Sequence, residues 1–191
     1  GDAYNKFLFD KSISKIKSRR IFKSVKSKIK DSNNDPQKKI IDITVEESPT
    51  GEIFAGAGTG TSGATIAAGM TENNYLGKGI KLSTKLSVSE DEVKGIFSVV
   101  NPNFKNSDRS LNTIIESTTS DFLSTGGFKT SRTGFGIGTG FEQYSDLFVN
   151  LDVSAYYEKL ETTSTASNHK KKQEGDYIEN LFKYNLVLNK L

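Results

Sequence analysis

Gly134-Phe135-Gly136-Ile137-Gly138-Thr139-Gly140-Phe141 is the stretch that decides the fold class. Its period is two, the signature of a strand. In a soluble sandwich the apolar side of such a strand turns inward and the outer side is polar. Four outward glycines would then weaken the strand for no return. In a membrane barrel the apolar side meets lipid, and glycines facing the lumen cost only propensity while leaving room inside. The stretch therefore predicts a barrel strand.

The same period runs outward in both directions. Ile80, Leu82, Thr84, Leu86 and Val88 alternate with Lys81, Ser83, Lys85 and Ser87, and Leu147, Val149, Leu151 and Val153 alternate with Asn150, Asp152 and Ser154. Phe182, Tyr184, Leu186 and Leu188 alternate with Lys183, Asn185 and Asn189. Strands are expected over 52–62, 64–73, 79–89, 93–101, 109–120, 128–143, 146–162 and 177–189. Many approach the roughly 9–11 residues a tilted strand needs to cross a bilayer. The links fall into two sets: 62–63, 89–92, 121–127 and 163–176 on one side, growing along the chain to the long 163–176, and 74–78, 102–108 and 144–145 on the other. Outer-membrane barrels pair long external loops with short periplasmic turns in this way.

Composition narrows the function classes. The chain has 191 residues, 34% of them hydrophobic and 26% charged, with 17 Gly, 3 Pro and no Cys. The lack of cysteine excludes disulfide frameworks and thiolate chemistry, and no apolar run of about 18 residues suits a transmembrane helix. Residues 1–30 hold ten lysines and arginines against Asp2 and Asp10, and every glycine except Gly1 lies at position 51 or later. A basic head of this kind suits nucleic acid, anionic lipid or plain solvation, and a solvated face is the expectation taken here. The composition breaks at Ser48-Pro49-Thr50-Gly51, which divides the chain into residues 1–48 and 49–191. In the head, Asp10 is expected to cap a helix carrying Ile13 and Ile16, with Arg19-Arg20 in its last turn. A strand through Val25, Ser27 and Ile29, a turn at 31–36 and a strand at 39–47 follow.

No motif carries chemistry. Gly58-Thr59-Gly60-Thr61-Ser62-Gly63 satisfies the dinucleotide-binding spacing, but a small-residue strand follows where that site needs a helix. His169, the only histidine, is placed in a polar, low-order loop beside Lys170-Lys171-Lys172. Glu90-Asp91-Glu92 lacks a calcium-loop pattern. The expectation is a protein that is not an enzyme, with no catalytic residue, metal or cofactor and no nucleic-acid partner.

Several of these stretches resemble the BamA family of outer-membrane assembly factors. Gly1-Asp2-Ala3-Tyr4-Asn5, Ile21-Phe22-Lys23-Ser24-Val25 and the strand ending Val45-Glu46-Glu47 are similar to the second half of that family's last POTRA repeat. Pro49 through Gly63 resembles its linker and first hairpin. Glu72-Asn73-Asn74-Tyr75-Leu76-Gly77-Lys78-Gly79 resembles a turn between early barrel strands, and Val99-Val100-Asn101-Pro102-Asn103-Phe104 the end of a strand. Lys172-Gln173-Glu174-Gly175-Asp176-Tyr177 is similar to the start of a later one.

The resemblance implies a mainly β architecture: a partial α/β POTRA domain, then about eight strands of an incomplete transmembrane antiparallel β-barrel. It implies an outer-membrane location with the head in the periplasm. It also implies folding and insertion of unfolded outer-membrane β-barrel proteins beside periplasmic lipoprotein subunits, within the lipid bilayer. A relative that assembles autotransporters, TamA-like, and a passive small pore are the alternatives. That family's barrel has sixteen strands, its Arg-Gly loop motif and C-terminal strand signature are missing here, and the chain is accordingly read as an internal piece of a longer protein. In such factors the first strand opens from the barrel seam and templates client strands by β-augmentation. That assigns Ile53, Ala55, Gly56, Gly58 and Gly60 to the seam. Relief of barrel curvature is the other reading of these glycines.

Overall fold

The computed structural model describes residues 3–32, 35–60 and 63–189, with the backbone alone at 35–37. The chain divides into two compact units, Gly1–Thr50 and Gly51–Leu191.

The first unit holds α1 (Lys6–Ser18), β1 (Phe22–Ser32) and β2 (Asp35–Glu47). Asn5, not Asp10, caps α1: its backbone is extended and its Oδ1 accepts from Leu8 N at 3.2 Å. Asn5 is as good an acceptor as aspartate, and Phe7, Leu8 and Phe9 extend the helix back to it, leaving Asp10 inside. The helix also stops sooner than expected. Arg19 is its C-cap and Arg20 takes φ 56°, so the last-turn cations are Lys15 and Lys17. Strands β1 and β2 pair antiparallel with Val25↔Val45, Ser27↔Ile43 and Ile29↔Ile41 on one face. The other face carries the ion pairs Lys30–Asp42 at 2.8 Å and, near the base of the hairpin, Lys23–Glu46 at 3.2 Å. Of the expected turn, Asn33 and Asn34 lie outside the described residues.

The second unit is a single antiparallel sheet. Its strands are β3 (Gly51–Gly60), β4 (Gly63–Tyr75), β5 (Ile80–Ser89), β6 (Glu92–Asn101), β7 (Ser110–Phe122), β8 (Phe128–Tyr144), β9 (Leu147–Thr162) and β10 (Gly175–Leu188). Each pairs with its sequence neighbours, in the order β10-β9-β8-β7-β6-β5-β4-β3. The sheet is therefore open, with β3 and β10 as its edges. Thr61 and Ser62, between β3 and β4, lie outside the described residues. Gly63 begins a strand and not the helix that nucleotide binding would need.

The pairing register carries the alternation across all eight strands. Ile137 pairs with Val153 on β9, which pairs with Phe182 on β10. Through Thr113 and Val99 the same face continues to Leu82. The opposite face carries Lys81, Lys85, Lys94, Asn112, Glu116, Arg132, Asp152, Glu179 and Lys183. The two faces differ in crowding as well as polarity. Gly136, Gly138 and Gly140 are buried, while Phe135 and Ile137 between them are 48% and 46% exposed. Along β8 the glycine side is covered and the apolar side is left open. Among the described residues, the only buried hydrophobic ones are Ile21, Tyr156, Leu160 and Ala166. A continuous apolar face of this size needs a non-aqueous neighbour. A ten-residue strand tilted at about 45° covers the roughly 25 Å apolar band of a barrel.

The glycines of β8 do more than leave room. A β-carbon at Gly134 would lie 2.1 Å from Tyr156 Cδ1, one at Gly138 2.0 Å from Asp152 Oδ1, and one at Gly140 2.5 Å from Asn150 Oδ1. The expected empty lumenal space along this strand is already occupied by side chains of β9.

The turns explain two of the quoted motifs. Asn74 Oδ1 accepts from Gly79 N at 2.7 Å and Asn74 O from Gly77 N at 2.9 Å. Leu76, Gly77 and Gly79 all have positive φ, so the two glycines follow from backbone shape. In the second motif Asn103 N donates to Asn101 Oδ1 at 3.1 Å and Phe104 N to Arg109 O at 2.8 Å. The long link after β9 is ordered, contrary to expectation. Ser167 caps a short helix, α2 (Asn168–Lys172), and Thr163 N donates to Gly127 O at 2.8 Å. Gly127 has φ 68° and lies so close to Ala166 that a β-carbon would sit 2.5 Å from its amide nitrogen. The polarity of this link hid the apolar contact of Ala166.

Candidate functional site at the free edge of the sheet

All ten residues of β3 are exposed. In an antiparallel strand the backbone N–H and C=O groups point alternately to either side. Half of those in β3 bond to β4, and the other half face outward, with no strand beside them among the described residues. Such a row is a template for another strand.

The register separates the predicted seam residues into two sets. Ile53 pairs with Met70 and Ala55 with Ala68, on the apolar face, and Ile53 is 89% exposed. Gly56, Gly58 and Gly60 lie on the inner face, and a β-carbon at any of them would meet nothing within 4 Å. These glycines are thus unlike those of β8, whose missing side chains make space for neighbours. Phe54 is the one aromatic inner-face side chain of β3. It lies over Gly69 of β4, where a β-carbon would be 2.6 Å from Phe54 Cζ and 2.4 Å from Thr84 O. The opposite edge differs in kind, since β10 bears Ile178, Phe182, Tyr184 and Leu186, all exposed on its apolar side.

Farther along the inner face a charged cluster spans four strands. Arg132 of β8 donates from Nη2 to Glu179 of β10 at 2.5 Å, has Glu116 of β7 at 4.0 Å, and sits 3.7 Å above the Tyr156 ring of β9. Sequence reasoning missed this cluster. Its only trace was that Arg132 shares the parity of the four glycines. Asn112 Oδ1, also on this face, is buried without a hydrogen-bond partner among the described residues, which suits a water-lined surface. His169 is exposed on α2. Among the described residues no cluster of His, Asp or Glu is placed to hold a metal.

The model of the Omp85 superfamily domain matches residues 74–191. The chain belongs to the Omp85 superfamily. Membership and the strand arrangement point to the outer membrane as the location of this Omp85 chain. Among solved structures it is similar to that of BamA from Haemophilus ducreyi lacking POTRA domains 1-3, with a TM-score of 0.70 and 21% identity. The match covers 93% of this Omp85 chain and 36% of that structure's chain. The eight-strand sheet thus has the arrangement of part of a BamA barrel. No curated protein matches the sequence.

Proposed function

We propose that this chain forms the first strands of the barrel of an outer-membrane protein assembly factor. In this reading β3 presents its free backbone edge to incoming strands of unfolded outer-membrane proteins. The observation that carries the reading is the make-up of β3: beyond Phe54 it is built of Ala, Gly and Thr, and a β-carbon at Gly56, Gly58 or Gly60 would meet nothing within 4 Å. A template for many sequences must offer backbone and avoid side-chain selectivity, and such a strand does so. The edge of β10, with its large apolar side chains, suits a permanent neighbour.

In the same reading α1, β1 and β2 are the latter part of a POTRA repeat in the periplasm, where lipoprotein subunits assemble. The link carrying α2 is external, and the protein acts without a cofactor and is not an enzyme. A TamA-like role in assembling autotransporters rests on the same edge and differs only in client. Cysteine at Lys172 should react with an impermeant label on whole cells and cysteine at Lys78 only after permeabilisation; the reverse pattern would remove this orientation.

The test of function locks the edge. Gly58→Cys places its side chain in open space, so the substitution leaves β3 intact. A disulfide from it to the strand that closes the barrel should stop client insertion, and reduction should restore it. Full insertion activity with the cross-link formed would exclude the template role.

A further inference from the structure

Beyond Phe54, β3 reads Ala55-Gly56-Ala57-Gly58-Thr59-Gly60, a repeat of two residues. Sliding this strand by two positions along β4 keeps every side chain on its own face and replaces small residues by small residues. Pattern alone therefore does not set its register. Phe54 breaks the degeneracy. Its ring lies where a β-carbon of residue 69 would be, so it fits opposite glycine. After a two-residue slip Phe54 would face Ala67 or Thr71, each of which carries a β-carbon on that face. A ring covering a cross-strand glycine is a recognised way of pinning register.

We propose that Phe54, seated on Gly69, is the positioning residue that fixes the register of β3, leaving residues 55–60 as the register-tolerant part of the strand. The consequence for templating rests on the function proposed above: one end of the edge stays fixed while the rest adapts to successive clients. The pin itself does not depend on that function.

The experiment reads register directly, in the outer membrane and without client. Three cysteine pairs are oxidised in turn: 57 with 66, which face each other in the structure, and 57 with 64 or with 68, which meet only after a two-residue slip. With Phe54 present, only the first pair should cross-link. With Phe54→Ala, one or both slipped pairs should form at the expense of the first, and Phe54→Tyr should restore the native pattern. Phe54→Ala removes only a half-exposed ring, and heat-modifiable migration in gels verifies that the barrel still folds. Exclusive 57–66 cross-linking in folded Phe54→Ala protein would overturn the proposal. A shifted register with normal client insertion would uphold the pin and count against the template reading alone.

Discussion

The ring of Tyr156 occupies the space that a side chain on Gly134 would need, its Cδ1 lying 2.1 Å from the place of the missing β-carbon. The two residues are direct cross-strand partners. Glycine in a strand normally costs up to about 1 kcal/mol relative to alanine. Here that cost is offset by the packing of an aromatic residue against bare backbone.

Alanine at Gly134 should therefore destabilise the barrel by about 1–3 kcal/mol, because Tyr156 must leave its rotamer or the backbone must move. Alanine at Gly58, where space is open, should be neutral or stabilise by up to about 1 kcal/mol. Denaturant unfolding from lipid vesicles measures both. Equal effects at the two positions would mean that glycine serves the same purpose in β3 and β8.

Arg132 ties β7, β9 and β10 together through Glu116, Tyr156 and Glu179. Its side chain and that of Glu179 are both partly exposed, so the ion pair is worth about 1 kcal/mol and not the several expected of a dry one. A double-mutant cycle of Arg132→Gln with Glu179→Gln should give a coupling of that order, falling with added salt. Arg132→Lys should recover part of it at most, since an ammonium cannot reproduce the planar fork over an aromatic ring. Coupling indistinguishable from zero at low salt would mean that the cluster does not hold the strands.

Phe97 and Ser98 are adjacent near the middle of β6 and point to opposite faces. Phe97→Arg at mid-bilayer should cost roughly 2–4 kcal/mol, against less than about 1 kcal/mol for Ser98→Arg on a wet inner face. Refolding yields into vesicles and unfolding midpoints report the order. A reversed order would place lipid on the glycine side.

The strands were legible in the sequence because each announces its own period. Expected segments such as 79–89 and 146–162 differ from β5 and β9 by one residue at the start, and 177–189 differs from β10 by two at the start and one at the end. What escaped is what depends on a second element. The filled space beside Gly134 requires knowing that Tyr156 lies opposite. Arg132 finds its acid on β10, 47 positions along the chain. The inner-face placement of Gly56, Gly58 and Gly60 follows only when registers are followed from β8 back to β3. Local rules rate Asn5 and Asp10 alike as caps and so could not place the start of α1, which begins at Lys6.

Pairing of client strands with the outward edge of β3 is open to direct capture by a cross-link formed during assembly. Cysteine at Gly58 should form disulfides with cysteines placed along the last strand of a client outer-membrane protein stalled in insertion. Yield should peak at one client position and recur at two-residue spacing as the strand samples register. Client assembly at normal rates with no cross-link to position 58, or to Ile53 and Ala55 probed in the same way, would contradict the account.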